Sequence, residues 1–176
     1  MSGKDIIQIF KGLLPDERLL TDVDMIRITT FRIGGPADIV AEAESPEEII
    51  DLLRTARDNG IPFVVLGNGS NVLVKDKGVR GLVIRINSAM SRAQAEGNTV
   101  RAQAGIMMGA LARFLAAHSL AGFEFASGIP GCLGGGIYMN AGAYNGEIGS
   151  LIKEVYFIDE NLNLKTLENE QLDFSY

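Results

Sequence analysis

The sequence contains few of the residues on which several large classes of protein depend. Cys132 is the only cysteine and His118 the only histidine among 176 residues. A single cysteine excludes an internal disulfide and is typical of a reducing compartment, so we expect a cytoplasmic protein. A metal site needs clustered His, Cys or carboxylate side chains, which the sequence does not contain. We therefore expect no metal ion and a structural or solvated role for His118.

Long apolar runs and an excess of positive charge are also absent. No segment approaches the roughly 20 apolar residues that span a bilayer, and residues 1–20 lack the apolar core and small-residue cleavage site of a signal peptide. Lys and Arg total 16 against 22 Asp and Glu, for a net charge of −6. Surfaces that bind nucleic acid are rich in Lys and Arg. We expect no membrane and no nucleic acid partner, and a bound anion must be held locally by amides or a few cations.

The segments that are present predict an α+β fold with two lobes. Residues 4–14 predict a short amphipathic helix, followed over residues 22–30 by a connector. A strand at 37–43, a helix capped by Ser45 with Glu48 completing a capping box, and a buried strand at 61–67 predict a βαβ unit. A further strand is predicted at Leu82–Ile86. We predict an N-terminal helix and connector over 1–22 and a first lobe over 23–90.

The second predicted lobe covers residues 91–176, after the polar, turn-rich segment 87–98. A strand near residues 98–105, an amphipathic helix at Met108–Leu120 and a hairpin at residues 152–167 with its turn at 159–161 are predicted. A glycine-rich segment, GIPGCLGGGIYMNAGAYNGEIG (128–149), separates that helix from the hairpin.

The segment LGNGSN directly after the strand at 61–67 is a candidate anion-binding loop. Gly67 and Gly69 allow positive φ, which turns successive N–H groups inward, and Ser70, Asn68 and Asn71 add side-chain donors. Ligands of α/β sheets usually bind at the carboxyl ends of strands. The sequence LGNGSN is also typical of an ordinary loop. The loop does not match the G-x-G-x-x-G motif of Rossmann folds, because Val72 stands where the third glycine would be. The sequence also contains no P-loop pattern.

The segment 128–149 supports two different ligand contacts. A glycine-rich turn at Gly131 and Gly134–Gly136 that begins a helix is the usual arrangement for holding a phosphate at the helix N-terminus. Small residues in NAGAYNG let a flat ring lie against the backbone. Close packing of a helix against a sheet is the alternative. Arg32 and Arg85 are candidates to contact a charged ligand, although exposed arginines are more often only surface residues.

Three motifs together resemble one family. TTFRIGGPAD (29–38), VLGNGSNVLV (65–74) and SGIPGCLGGGIYMNAGAYNGEI (127–148) occur in this order. They resemble the bacterial UDP-N-acetylenolpyruvoylglucosamine reductases (MurB), which have the two-lobed FAD-binding fold of p-cresol methylhydroxylase and vanillyl-alcohol oxidase. The likeness extends from about Ile28 to Tyr176, and its third motif is the most specific.

The resemblance implies a bound, non-covalent FAD, since neither loop contains the His that tethers the flavin in some relatives; Cys132 is a remote exception. The GNGSN loop would bind the pyrophosphate, and the segments SGIPG and NAGAY would line the rest of the cofactor between the lobes. Tyr144 would lie on the substrate side. The implied cofactor-binding residues are Gly67, Asn68, Gly69, Ser70, Asn71, Ser127, Gly128, Ile129, Pro130, Gly131, Gly134, Gly135, Asn140, Ala141, Gly142, Ala143 and Gly146.

The implied reaction is a hydride relay from NADPH to the flavin and from the flavin to the enolpyruvyl double bond of a UDP-sugar, a step of peptidoglycan synthesis that serves cell-wall biogenesis, cell shape and cell division. The family's catalytic Arg lies in a Y-R-x-S element, and this sequence ends at DFSY, one residue before that Arg. The family's Ser and Glu belong to a later substrate domain. No catalytic residue is therefore expected within the chain, which we expect to fold without turnover and to self-associate through a truncated sheet edge.

Two alternatives to this function stay open. One is another flavoprotein of the same fold, an oxidase or dehydrogenase acting on an alcohol or hydroxy acid. The other is a non-catalytic module that binds FAD or another nucleotide.

Overall fold

The computed structural model describes residues 3–175, and side chains from Ile6 onward. The chain divides into two units, Met1–Ala89 and Met90–Tyr176, where the sequence predicts lobes at 23–90 and 91–176. The helix and connector predicted as a separate N-terminal segment belong to the first unit, because residues 19–24 form a strand of its sheet.

The first unit contains a four-stranded sheet with two helices. Its elements are α1 (Gly3–Phe10), β1 (Leu19–Asp24), β2 (Pro36–Ala43), α2 (Pro46–Asp58), β3 (Phe63–Leu66) and β4 (Val79–Ile86). The strand order is β1-β2-β4-β3; β1 is antiparallel to β2, whereas β2 and β3 are each parallel to β4. The predicted βαβ crossover is present as β2-α2-β3, with β4 inserted between its two strands.

Side chains of β2 and β4 form the centre of the first unit's core. Helix α1 contacts β1 and β2, and α2 contacts β2 and β4. Alternate side chains of a strand point to opposite faces, so Ile39 and Val40 contribute to different faces of the sheet. Val40 and Val83 pack in a cluster with Met25, Ile28 and Leu66. This cluster lies beneath the loop that follows β3, because Leu66 is the last residue of that strand.

The N-terminus of α2 is capped by only half of the predicted capping box. Ser45 Oγ accepts from the Glu48 N–H at 3.2 Å, but the Glu48 carboxylate accepts from the N–H of Glu44 rather than from that of Ser45. The same carboxylate also accepts two hydrogen bonds from Arg18, at 2.7 and 2.8 Å. The capping glutamate therefore ties α2 to the segment before β1.

The prediction of a buried strand at 61–67 is wrong. Strand β3 pairs only with β4 and forms an edge of the sheet, and Phe63, Val64 and Val65 are 39%, 40% and 46% exposed. The sequence predicted burial because an apolar run between Pro62 and Gly67 is typical of central strands. An apolar edge strand shows the same pattern.

The second unit consists of hairpins and two helices. Its elements are β5 (Ala93–Glu96), β6 (Thr99–Ala102), α3 (Met108–Ala117), α4 (Leu133–Tyr138), β7 (Gly142–Ala143), β8 (Gly146–Glu147), β9 (Glu154–Ile158) and β10 (Leu164–Glu168). Each pair β5–β6, β7–β8 and β9–β10 is antiparallel. The hairpin predicted at 152–167 is present, whereas β5 lies in a segment that was predicted as a polar boundary.

The core of the second unit forms around α3. Met108 and Leu111 of this helix pack with Phe123, Leu133 and Ile148. Leu133 begins α4 and Ile148 follows β8. Residues near both ends of the glycine-rich segment therefore pack in this core. The described residues include no helix of the length and apolarity that crossing a membrane requires.

Candidate functional site

The GNGSN loop, residues 67–71, lies at the carboxyl end of β3 and is held by the loop that follows β1. Gly69 has φ +64°, and a Cβ there would lie 2.8 Å from the carbonyl oxygen of Ile28. The N–H of Thr30 donates to the Gly69 carbonyl at 3.1 Å. Glycine is required at this position by both its dihedral angle and the close approach of the neighbouring backbone.

Several backbone N–H groups of the GNGSN loop have no backbone acceptor in the described part of the chain. Among residues 3–175, the backbone N–H groups of Gly67, Gly69, Ser70 and Asn71 donate to no backbone carbonyl oxygen. Ser70 is half-buried and Asn71 exposed, so these donors lie where a ligand can reach them. Unpaired N–H groups in a glycine loop form the concave donor set that binds phosphate oxygens. The residues present therefore fit the pyrophosphate of a dinucleotide.

The first motif, residues 29–38, supports this loop by close backbone packing. Gly35 and Gly78 each leave no room for a Cβ, since it would overlap the carbonyl oxygen of Asp76 in one case and of Pro36 in the other. Thr29 is 4% exposed, and its hydroxyl lies 3.2 Å from the carbonyl oxygen of Ile33. The motif thus has a structural role beside the GNGSN loop.

The two candidate arginines of the first unit have different surroundings. Arg85 Nη1 donates to Glu42 Oε1 at 2.8 Å, and its buried Nε has no partner among the described residues. Arg85 and Glu42 both line a cavity of about 620 Å³ beside β1. Arg32 is exposed, has φ +54°, and makes no ion pair within residues 3–175.

The SGIPG segment, residues 127–131, runs beside the loop that precedes α3. The N–H of Met108 donates to the Gly131 carbonyl at 3.0 Å, and the N–H of Ile129 donates to Ala126. Gly128 is exposed, and a Cβ built there has nothing within 4 Å. Ser127 lines a hollow of about 280 Å³ along α3. The protein itself gives no steric reason for glycine at position 128.

The phosphate contact expected at the N-terminus of α4 is not supported by the structure. The N–H groups of Leu133 and Gly134 donate to the carbonyl oxygens of Ile106 and Ala104, both at 2.8 Å. The helix has six residues. These amides hold α4 against the preceding loop and are not available to a ligand.

Most glycines of the segment 128–149 are packed against the chain's own atoms. An added Cβ would lie within 2.9 Å of another atom at five of them. The atoms met are Ala104 Cβ for Gly134, Ile148 Cδ1 for Gly136, the Gly146 carbonyl for Gly142, Phe125 Cδ1 for Gly146 and Phe174 Cγ for Gly149. A Cβ at Gly135 would meet only Cys132 Sγ at 3.8 Å, and one at Gly128 would meet nothing within 4 Å. The close-packing alternative therefore explains much of the glycine content, and it leaves Gly128 and Gly135 as open positions.

The NAGAY segment, residues 140–144, continues into the β7–β8 hairpin. Asn140 is buried; its Oδ1 accepts from the Gly149 N–H at 2.9 Å and its Nδ2 donates to Glu147 at 3.2 Å. Tyr144 and Asn145 both have positive φ, which is the pattern of a two-residue type I′ turn. Tyr144 is 92% exposed at the turn. Ala141 and Ala143 are half-buried.

Polar and reactive side chains near these segments are few. Cys132 is buried, and His118 ends α3 with Nδ1 2.8 Å from the Phe114 carbonyl oxygen. The pKa of the Glu124 carboxyl is lowered by hydrogen bonds from its own N–H and that of Gly122. No group of three His, Cys, Asp or Glu residues within the described part of the chain could hold a metal ion.

The fold and the glycine loops define the class of protein. Residues 37–165 match the family described as the FAD binding domain. Since this match covers more than half of the chain, the chain belongs to that FAD-binding family. Its α+β fold is that of the p-cresol methylhydroxylase-type flavoproteins, as the sequence predicted, and FAD is the family's cofactor.

Curated relatives of one name match nearly the whole chain. The UDP-N-acetylenolpyruvoylglucosamine reductase of Caldanaerobacter subterraneus subsp. tengcongensis is 43% identical over 97% of this chain and 56% of its own length. The reductase of the same name from Alkaliphilus oremlandii is 41% identical over 98% of this chain and 58% of its own length. The chain spans little more than half the length of these relatives.

Solved structures agree with the sequence comparison. The MurB reductase of Thermus caldophilus superposes with a TM-score of 0.73 at 31% identity, covering 90% of this chain and 54% of that protein. Phl p 4.0202, a glucose dehydrogenase, superposes with a TM-score of 0.68 at 15% identity over 93% of this chain and 38% of its own. The second likeness shows the fold alone.

Proposed function

We propose that this chain is the FAD-binding part of a UDP-N-acetylenolpyruvoylglucosamine reductase. The observation that carries the proposal is the identity of 41–43% to reductases of that name, over 97–98% of the chain. These matches extend over nearly the whole chain. Glucose dehydrogenases and other flavoproteins of the fold match at 14–18%, so the alternative of a different oxidase has less support.

Within the proposed site, the GNGSN loop binds the pyrophosphate of FAD. Gly67, Gly69, Ser70 and Asn71 contribute N–H donors, and Asn68 belongs to the same loop. A set of preorganised amides suits an anion in a protein of net charge −6, because it supplies local donors without a positive surface. The neighbouring strand end and Thr30 hold the loop in this form before any ligand arrives.

The second unit is proposed to contribute the SGIPG and NAGAY segments to the cofactor. Ser127 and Gly128 offer an exposed, open stretch of backbone, and Gly135 offers a second one on α4. Gly131, Gly134, Asn140, Gly142 and Gly146 are proposed to act through the backbone shape that their packing fixes. Ile129, Pro130, Ala141 and Ala143 complete the proposed lining, and Tyr144 is proposed to face the substrate.

The whole enzyme is proposed to use NADPH and a UDP-sugar substrate in the cytoplasm, within peptidoglycan synthesis, and so to serve cell shape and division. When bound, FAD supplies hydride-transfer chemistry. The residues of this chain bind and orient the cofactor; we propose that turnover needs the further length that the relatives possess. We propose non-covalent binding because His118 lies outside both cofactor segments and Cys132 is buried.

Flavin retention and turnover test this proposal separately. The purified chain is expected to bind one FAD, to release it on denaturation, and to show no substrate-dependent NADPH oxidation. A chain that binds no added FAD would refute the cofactor role. Turnover of the UDP-sugar substrate by this chain alone would refute the proposed division of the enzyme.

We also propose that the chain self-associates through exposed sheet edges. Strand β3 has one edge without a partner strand among the described residues, and its three exposed apolar side chains favour association. Light scattering over a range of concentrations is expected to show dimers that Val64→Lys reduces. A monodisperse monomer at all concentrations would contradict this.

A further inference from the structure

We propose that Arg32 contacts the pyrophosphate of FAD, as the cation that complements the amides of the GNGSN loop. This inference rests on the proposed function, since it assumes that residues 67–71 bind the pyrophosphate. It assigns a charged side chain to a site whose other donors are neutral.

The backbone of Arg32 lies close to the GNGSN loop. Thr30 N–H donates to Gly69 O at 3.1 Å, and the position of a Gly69 Cβ lies 3.1 Å from Thr29 Cα. Arg32 is two residues beyond Thr30, a separation of at most about 7 Å between Cα atoms. An arginine side chain spans a similar length. The guanidinium group of Arg32 can therefore reach an anion held by the GNGSN loop.

The backbone of Arg32 is also fixed by hydrogen bonds. Its N–H donates to Thr29 O at 3.2 Å, and the Thr29 hydroxyl lies 3.2 Å from Ile33 O, so the turn is bonded on both sides of the arginine. Arg32 has φ +54°, a conformation in which glycine is favoured. A long cationic side chain stands at a position where the backbone alone would favour glycine or asparagine.

The charge of Arg32 is available to a ligand. Among the described arginines of the first unit, Arg18, Arg80 and Arg85 pair with the carboxylates of Glu48, Asp38 and Glu42. Arg32 is exposed, and over residues 3–175 its guanidinium has no acceptor. A planar guanidinium group binds phosphate oxygens through two parallel hydrogen bonds. Arg32 is thus a cation without an ion pair among the described residues, two positions after Thr30, which bonds the GNGSN loop.

Binding of flavins that differ in phosphate content tests the role of Arg32. Dissociation constants for FAD and for riboflavin, which has no phosphate, are measured by flavin fluorescence with the wild-type chain and with Arg32→Gln, Arg32→Lys and Arg32→Gly. We expect Arg32→Gln to weaken FAD binding about 10-fold, consistent with the loss of a charge-assisted hydrogen bond. Arg32→Lys retains part of the affinity, and riboflavin binding is unchanged in every variant.

Two control variants separate the effect of the Arg32 charge from that of its backbone conformation and from that of the protein's net charge. Arg32→Gly removes the charge and relieves the positive φ, so it is expected to bind FAD as weakly as Arg32→Gln while unfolding at the wild-type temperature or above. Arg54→Gln removes a cation that pairs with Asp51 on α2 and is expected to leave FAD binding unchanged. The FAD affinity of Arg32→Gln is also expected to depend less on salt than that of the wild type.

The outcomes distinguish this inference from the proposed function. FAD binding by the wild-type chain with an affinity within twofold in Arg32→Gln would overturn the role of Arg32 and leave the role of the GNGSN loop intact. Equal weakening of FAD and riboflavin would also overturn it, since the effect would not involve the phosphates. A wild-type chain that binds no FAD would overturn both proposals.

Discussion

Individual glycines of the segment 128–149 have opposite reasons for being glycine. Gly136 is buried against Ile148 and Met108, while Gly135, the preceding residue of the same helix, is exposed with a single distant neighbour. The sequence predicts that glycines throughout the segment make room for a ligand, because the sequence alone does not distinguish one glycine from its neighbour. Whether a glycine faces a core or open space depends on the tertiary packing around it, which the spacing of letters does not reveal.

Alanine at Gly135 and at Gly136 is expected to change stability in opposite directions. Gly135→Ala adds a methyl group in open space within a helix and should raise the free energy of unfolding by about 0.5–1 kcal/mol. Gly136→Ala places a Cβ 2.6 Å from Ile148 Cδ1 and should lower it by about 1–3 kcal/mol. Urea unfolding of both variants measures the difference. Equal effects would show that the packing described around α4 is incorrect.

Gly128→Ala tests whether the cofactor lies against the open backbone at position 128. Because a Cβ at residue 128 meets no protein atom within 4 Å, the free energy of unfolding should change by less than about 0.5 kcal/mol. If the flavin lies against this backbone, FAD binding should weaken at least about 10-fold, the result of a steric clash with the added methyl group. Stability and affinity that are both unchanged would remove Gly128 from the site.

At the scale of elements, the sequence predicts local structure better than burial. Helix α2 begins at the predicted Ser45 cap and ends beside Asn59, because capping and helix termination depend on neighbouring residues. The burial of β3 was predicted wrongly, since whether a strand is central or at an edge depends on sheet order. Strand β1 was missed because it pairs with a segment twelve or more residues away.

The ion pair between Glu48 and Arg18 is expected to make α2 sensitive to acid. The hydrogen bond from Arg18 lowers the pKa of Glu48. The ion pair therefore contributes fully to the free energy of unfolding above the ordinary carboxyl pKa of about 4.3, and this contribution is lost as the pH falls through the lowered pKa. Glu48→Gln should cost about 1–2 kcal/mol at pH 7, because both side chains are mostly buried, and the cost should disappear in acid.

Glu47→Gln is the matched control for this prediction. Glu47 is the adjacent exposed carboxylate of the same helix turn, and its replacement should change the free energy of unfolding little at any pH. Thermal unfolding from pH 3 to 7 provides the measurement. A difference between wild type and Glu48→Gln that is the same at pH 3 and pH 7 would contradict an electrostatic origin.

At the scale of the whole molecule, the family and the fold could be predicted from three motifs, while the site could be predicted only in part. The GNGSN loop has the unpaired amides that its glycines indicated. The sequence predicts a glycine-rich turn at Gly131 and Gly134–Gly136 before a phosphate-binding helix, but the helix already begins at Leu133, and the N–H groups of Leu133 and Gly134 are occupied by carbonyl oxygens of the loop before α3. That occupancy arises from residues 104–106, which lie almost thirty positions earlier and have no recognisable motif.

Whether residues 67–71 bind the pyrophosphate of FAD is decided by the equilibrium binding of FAD and of riboflavin to the purified chain, followed by flavin fluorescence. We predict one FAD per chain, bound at least about 10-fold more tightly than riboflavin, because the role we propose for the amides of residues 67–71 is to bind the pyrophosphate, which riboflavin lacks. Equal affinity for the two flavins, or no binding of FAD, would contradict it.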